Sequence, residues 1–591
     1  MPQKTHEINA IFAGECALMN DLHDFLSTIN GIIWHDSVLF ILLGTGVLFT
    51  VWSGFSQYRA LTHGFHVIRG SYDKPDDPGA INHFQALTTA LSATVGLGNI
   101  GGVAIAIALG GPGAVFWMWV VGFFGMAIKL TEVTLSMLYR NVEDPDNPHG
   151  GPMWVVSKGL AKKGAALGNL GKGVAVVFCI TALISAATGG NMFQAWNAGE
   201  ITELYFGIPS VITGIVLAIL VGLVIIGRIK RIGAVTGRLV PIMLLLYLLA
   251  GLYVVGVNID RVPEMFRLIF KAAFSPVEAS GAFIGGTMGY AFLFGMKRAL
   301  FSNEAGQGTS PMAHSAAKTD EPVREGIVAG LEPFIDTIVV CTLTSLVILS
   351  TGVWERESVT NLSEPPQILE VPDGWTMETT QVPPEQTVEW NSGESVFIIL
   401  SAHDNPSSGN RLHRLYGNIT FGSNEQALIE WDVLQSPEKP RIDDLGIYKS
   451  YVGATLTARA FDSVLPGLGK WLVTISVWLF ALSTMISWSY YGEQATVYLF
   501  GDRGVLAYKA LFCALIVVAT LGFIETDVQL DNLTGFGTGV MLLVNVPIMW
   551  IFGRQTMLAY KEYVARLKTG QMDPGHSIPS REKPISDRDV E

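Results

Sequence analysis

Charge is scarce in this chain. Only 15% of its 591 residues are Asp, Glu, Lys or Arg, against about 25% in soluble domains, while 49% are hydrophobic. That balance excludes a water-soluble globular fold and implies a polytopic membrane protein. Cysteine is sparse as well: Cys16, Cys179, Cys341 and Cys513 have no metal-ligand spacing, so neither a disulfide framework nor a zinc site is expected. The chain has no basic stripe, which excludes a nucleic-acid partner. Met1–Leu26 lacks a clean apolar core, so no cleavable signal peptide is expected. Residues 1–30 read instead as an amphipathic surface segment.

What charge there is lies unevenly. The net charge is −13, and 16 acidic against 6 basic residues between Val353 and Ser450 account for −10 of it. Apolar runs predict eleven spans, at residues 33–55, 84–107, 114–138, 174–196, 211–226, 239–257, 282–300, 327–352, 471–499, 506–523 and 534–552. Basic residues crowd alternate short loops, such as Arg140, Lys158, Lys162 and Lys163, or Arg228, Lys230 and Arg231. The loop before the seventh span, with Arg261, Arg267 and Lys271, is the exception. Positive charge marks the cytoplasmic side, so the amino terminus is expected outside and the carboxyl terminus inside the cell (inner) membrane. The chain then divides into helices 1–8 (31–352), an acidic, β-rich extracytoplasmic insertion (353–468), helices 9–11 (469–555) and a cytoplasmic tail (556–591).

The second span carries Gly96-Leu97-Gly98-Asn99-Ile100-Gly101-Gly102 at its centre. Each glycine costs a helix about 1 kcal/mol, and a break at mid-depth is tolerated only beside protein or a water-filled cavity. The same letters match the dinucleotide fingerprint, but the required strand and downstream acid are missing. An unwound centre frees carbonyls for a cation and amides for an anion, with oxygens of Ser92, Thr94 and Asn99 nearby. Small residues here could instead serve helix packing.

The seventh span has its own weak stretch, Gly285-Gly286-Thr287-x-Gly289. Interrupted helices at matching positions of two halves point to a transporter binding site; here the halves would be spans two to six and seven to eleven. In the ninth span Ser483-Thr484-x-x-x-Trp488 puts Thr484 and Trp488 on one helix face. Gln194 closes the fourth span and could meet an α-carboxylate or α-amine. Lys297, Arg298, Glu304 and Glu132 read as gate or structural ion pairs at the inner surface.

Several stretches carry a resemblance: Leu91–Glu132, Gly150–Met153, Gly190–Gln194, Val240-Pro241, Leu300–Thr319, Phe334–Thr337 and Ser483–Gly492. Together they resemble the alanine or glycine:cation symporter family, the sodium/alanine symporters, within the amino acid-polyamine-cation superfamily. The resemblance implies an all-α membrane protein with a leucine-transporter-type 5+5 inverted repeat. It further implies a substrate site at Leu97, Gly98, Asn99, Gln194, Thr484 and Trp488, beside Gly285, Gly286 and Thr287 of the seventh span. By the same similarity one sodium would use carbonyls of Ser92 and Val95 and hydroxyls of Ser483 and Thr484. Leu97 stands where many members have Thr, and Ser487 where Gly is common. The insertion is not a usual feature.

The expected activity is sodium-coupled import of a small neutral amino acid, alanine or glycine, with no cofactor beyond the coupling ion and lipid as the surroundings. It is not an enzyme. Alternatives are a larger substrate such as glutamine, proton coupling, a sensor that binds a partner through the acidic outer domain, or a hydrolase there at Ser401, His403, Asp404 and His413. The sequence leaves the oligomeric state open.

Overall fold

A computed structural model describes residues 25–74, 76–383, 390–422, 426–451, 453–522 and 527–571. Most of the amino-terminal segment, with Cys16, and the tail beyond residue 571 lie outside the described residues. Helices satisfy their own backbone polar groups, the condition for crossing lipid. Among the described residues seven helices are long and apolar enough to do so, or eight if one bent pair is a single span. The expected eleven exceeds this count because some segments are short, such as Ser210–Ile225 with 16 residues and Val505–Val518 with 14. The first long helix already begins at Phe25, inside the stretch read from sequence as a surface segment. Leu223, Leu245, Leu249 and Leu252 are more than half exposed, which fits helices whose outer faces meet lipid.

Helix α1 (Asp36–Ser53) precedes the first half of the broken span, α2 (His83–Thr94). A capping box at Asn82 and Gln85 starts α2, satisfying two donors that a helix start otherwise leaves free. The helix stops at Val95, whose φ −76° and ψ 97° are extended. It resumes as a wide turn, Gly98–Gly102, that leads into α3 (Val103–Gly110), and the axis bends by 53°. Next come α4 (Gly113–Tyr139), α5 (Pro152–Ala161), α6 (Ala165–Ala187), α7 (Phe193–Phe206), α8 (Ser210–Ile225), α9 (Arg228–Val257) and α10 (Val262–Phe274). A second wide turn, Thr188–Met192, joins α6 to α7.

The seventh span is divided, though not where its glycine run suggested. Helix α11 runs unbroken over Met288–Asn303, with Thr287 as its cap. The chain then turns through Glu304, Gly306 and Gly308, all at positive φ (54°, 88° and 80°), and re-enters helix at α12 (Ser310–His314). Positive φ is cheap for glycine alone, so Gly306 and Gly308 are where the break can form. Gly285 and Gly286 precede the helix, and Gly286 exchanges backbone bonds with Val277 at 2.9 Å. Helices α13 (Pro322–Ala329) and α14 (Thr342–Thr351) follow, separated by the wide turn Phe334–Cys341.

Among the described residues between Thr360 and Lys449 lie nine strands. Strands β1 (Thr360–Asn361), β4 (Thr380–Gln381), β5 (Ser395–Asn405), β6 (Asn410–Phe421), β7 (Ala427–Trp431) and β9 (Gly446–Lys449) make one antiparallel sheet in the order β1-β9-β5-β6-β7-β4. Strand β8 (Arg441–Ile442) pairs with β5, and β2 (Ile368–Val371) pairs with β3 (Gly374–Met377) as a separate hairpin. Alternate residues of a strand face opposite sides, and both sides of β5 are covered. Val396, Ile398 and Leu400 enter the core of the sheet domain, while Phe397 and Ile399 pack with Ala282 of the helical body.

The sheet ends earlier than the insertion boundary read from sequence. Helix α15 (Ala454–Asp462) belongs to the helical body: Thr457 Oγ1 donates to Ile100 O at 2.9 Å, and a Cβ on Gly101 would meet Ala454 N at 3.1 Å. Its Leu456 and Phe461 join the main core. The 33-residue α16 (Leu468–Phe500), α17 (Val505–Val518) and α18 (Asp527–Lys568) complete the chain.

Candidate substrate and cation site

The break between α2 and α3 opens onto a small cavity, about 40 Å³ as room for the centre of a water-sized sphere. Leu97, Gly98, Gln194, Thr484 and Trp488 line it, as do Phe301, Glu304, Gln307, Thr534 and Thr538. Five of the residues expected from sequence are therefore brought together. They come from three segments: the break after α2, the start of α7, and α16, which supplies two positions one turn apart.

Each is held for a physical reason. Leu97 and Gly98 begin a helical stretch, whose first amides have no intrahelical acceptor and whose dipole favours an anion. Gln194 Nε2 donates to Gly189 O at 3.0 Å, leaving Oε1 buried without a hydrogen-bond partner. Gln307 repeats the pattern: Nε2 donates to Leu300 O at 3.0 Å, and Oε1 is buried and unpartnered. Buried acceptors are normally satisfied, and these two unpartnered oxygens belong to residues that line one cavity. Glu304 adds a carboxylate, held by Thr309 Oγ1 at 2.5 Å. Trp488 forms a wall against α6–α7: a Cβ on Gly190 would stand 2.3 Å from its Cγ.

Asn99 is placed differently. It is fully buried and does not line the cavity; its Oδ1 accepts from Gly96 N at 2.8 Å, and its Nδ2 donates to Asp336 Oδ1 at 2.6 Å and Ser302 Oγ at 3.0 Å. Asp336 Oδ2 accepts from Ser302 Oγ at 2.7 Å and Thr337 Oγ1 at 2.8 Å. Asn99 thus ties the break of the second span to that of the seventh and to the wide turn before α14. Gly285, Gly286 and Thr287 are not brought to the cavity at all. They sit under the sheet domain, where Asn410 Nδ2 donates to Ile284 O at 2.8 Å and Thr287 N to Ser407 O at 3.2 Å.

Beside the cavity α2 and α16 exchange bonds. Ser92 Oγ donates to Ser483 O at 2.7 Å, and Ser92 O accepts from Thr484 Oγ1 at 3.2 Å and Ser483 Oγ at 3.5 Å. Val95 is buried at the end of α2, where the last carbonyls lack helical donors. The donor set is all neutral oxygen, which suits a hard monovalent cation. Among the described residues no group of three or more His, Cys, Asp or Glu could hold a metal.

The sequence pattern assigns no cavity role to Phe301, Gln307, Thr534 or Thr538, and places Glu304 and Glu132 at the inner surface. Glu132 and Glu304 are 2% and 4% exposed, around the buried Lys129. The signal for Glu304 and Gln307 was the run Asn303-Glu304-Ala305-Gly306-Gln307-Gly308, polar residues among glycines inside an apolar protein.

A match to the sodium:alanine symporter family covers residues 19–367 and 443–577. The chain belongs to that family. Its members are transporters, not enzymes, and the chain is an integral membrane protein. The interval the match omits falls inside the sheet domain. The sodium/alanine symporter AgcS of Methanococcus maripaludis is 35% identical over 89% of this chain and 94% of its own. An uncharacterized transporter of Haemophilus influenzae is 31% identical over 94% of this chain and 99% of its own. Among solved structures, a mutant of the Eremococcus coleocola manganese transporter aligns with a TM-score of 0.44 at 10% identity, covering 88% of this chain and 94% of that one.

Proposed function

We propose that this protein imports a small neutral amino acid, alanine or glycine, together with sodium, by alternating access in a 5+5 inverted-repeat fold. The amino terminus is outside and the carboxyl terminus cytoplasmic, following the basic loops. The observation that carries the reading is the cavity: a helix start and two glutamines whose amide oxygens have no hydrogen-bond partner line one small space. A zwitterion needs those two poles. Its carboxylate meets the Leu97 and Gly98 amides, where a helix start favours an anion. Its ammonium donates to Gln194 Oε1 and Gln307 Oε1, with Glu304 contributing negative charge. Trp488 and Phe301 limit the side chain, so a methyl group or hydrogen fits and larger groups are refused.

Sodium, as co-substrate, takes the carbonyls of Ser92 and Val95 and the hydroxyls of Ser483 and Thr484, bridging α2 and α16. Because it touches both elements, its binding free energy differs between arrangements in which they are close or apart, the requirement for coupling. Rocking of one bundle against the other then exposes the site to each side in turn.

Labelled alanine uptake into proteoliposomes, under an inward sodium gradient against an equal choline gradient, tests this. Sodium-dependent uptake, competed by glycine and not by glutamine, is the expected result. Competition by glutamine would overturn the size argument. No sodium-dependent uptake of any neutral amino acid would overturn the function.

A further inference from the structure

The two broken spans meet the sheet domain in a contact that the transport reading does not use. Helices α3 and α11 both lead from the cavity toward the sheet. Gly98 lines the cavity and α3 ends at Gly110, while Phe301 lines it and α11 begins at Met288. At 1.5 Å per residue, the ends nearest the sheet stand roughly 20 Å from the cavity.

One hairpin, β5–β6, holds both ends. Arg414 Nη2 donates to Ala282 O at 2.8 Å, ahead of α11, and to Ala108 O at 3.4 Å, in the last turn of α3. The last carbonyls of a helix lack helical donors and carry its negative pole, which favours a guanidinium there. In the turn of the same hairpin Asn410 Nδ2 donates to Ile284 O at 2.8 Å. Beside it, Ser407 O accepts at 3.2 Å from the N–H of Thr287, the cap of α11.

From the sheet the chain passes directly to α15, since β9 ends at Lys449 and α15 begins at Ala454. Helix α15 touches the break, where Thr457 Oγ1 donates to Ile100 O at 2.9 Å. It is also fixed to α16, where Asp462 Oδ1 accepts from Gly469 N at 2.7 Å. The sheet domain therefore links α3 and α11 on one side to α15 and α16 on the other. The cation site of the transport reading lies between α2 and α16, so these are the groups that alternating access moves past one another. Asn410 and Arg414 fall in the interval that the family match omits, which makes the link an addition to the transport machinery.

We infer that the β5–β6 hairpin is a strap across the sheet side of the cavity, and that opening on that side is held back until the hairpin releases α3 and α11. This rests on the transport reading for which groups move. The strap lowers the share of carriers open on that side according to the strength of its contacts. It acts as a brake on opening and takes no part in recognising the substrate.

The test places one cysteine in the cavity lining, Ala93→Cys, and labels it with a membrane-impermeant maleimide in intact cells. Protein without that cysteine gives the background from the native thiols. Protease added to the same cells reports whether the sheet domain faces the reagent, and inside-out vesicles are used if it is protected. Arg414→Ala should speed labelling at least about ten-fold, the worth of one hydrogen bond from a charged group, and Arg414→Lys should speed it less. Replacing residues 360–449 by a linker should speed it at least as much, whether or not Arg414→Ala disturbs the sheet itself. In the opposite direction, a disulfide between Thr287→Cys and Ser407→Cys should stop alanine uptake until it is reduced. Labelling unchanged in both the Arg414→Ala and the linker protein would overturn the strap, as would full uptake by the disulfide-linked protein. Faster labelling in a protein that takes up no alanine would overturn the transport reading and leave the strap standing.

Discussion

The Asn99 carboxamide lies 2.6 Å from the Asp336 carboxylate, and both side chains are fully buried. That bond joins the broken second span to the eighth, with Ser302 at the end of α11 completing a triangle of hydrogen bonds. Since Asn99 holds the break in shape without lining the cavity, its replacement tests geometry more than direct contact. In Asn99→Ala the carboxylate loses a donor and Gly96 N loses its acceptor. An unmet buried polar group costs about 1–3 kcal/mol. Alanine uptake should fall at least about ten-fold in protein inserted at the normal level, measured as initial rate per carrier.

Thr484→Val keeps the shape of the side chain and removes the hydroxyl that meets Ser92 O at 3.2 Å. One oxygen ligand is worth about 1 kcal/mol. The sodium concentration for half-maximal uptake should rise about five-fold, while the maximal rate at saturating sodium changes less. Titrating sodium at fixed alanine measures it. An unchanged sodium dependence would remove Thr484 from the cation site.

Trp488 and Gly190 should act in opposite directions. A Cβ at Gly190 would come within 2.3 Å of the Trp488 Cγ, so Gly190→Ala pushes the indole into the cavity and should abolish uptake. Trp488→Leu removes part of that wall and should let larger neutral amino acids compete with labelled alanine. Competition by glycine, alanine, valine and glutamine across the two variants reads the size limit.

The sheet domain is anchored by Arg414, which donates to Ala282 O at 2.8 Å and stacks its guanidinium 5.1 Å from the centre of Phe397. Arg414→Ala should loosen the domain by about 1.5–3 kcal/mol, the range for hydrogen bonds made by charged groups, and speed its release by limited proteolysis. Replacing residues 360–449 by a short linker should leave sodium-dependent uptake in place. Loss of uptake there, with normal insertion in the membrane, would favour a role for the domain in the transport cycle itself.

Much of this protein is determined locally. A long apolar run must become a helix in lipid, because nothing else satisfies its backbone, and that is legible residue by residue. So is the break at Gly96–Gly102, where four glycines and an asparagine interrupt such a run. The strands of the insertion follow from alternation and turn residues, which act over a few positions.

The tertiary structure decided what local pattern leaves open. Gly285–Gly289 and Gly306–Gly308 are both glycine-rich, and sequence favours the first as the break of the seventh span. Packing chose the second, because the sheet domain covers the segment before α11, while Gly306 and Gly308 can take positive φ beside α4 and α18. Likewise Glu132 reads as an inner-surface charge in the sequence, and nothing there marks Lys129, His314 or Glu325 as buried. Only the fold, by bringing α2, α4, α12 and α13 together, supplies the partners that let them be buried, since a charge can leave water only where others meet it.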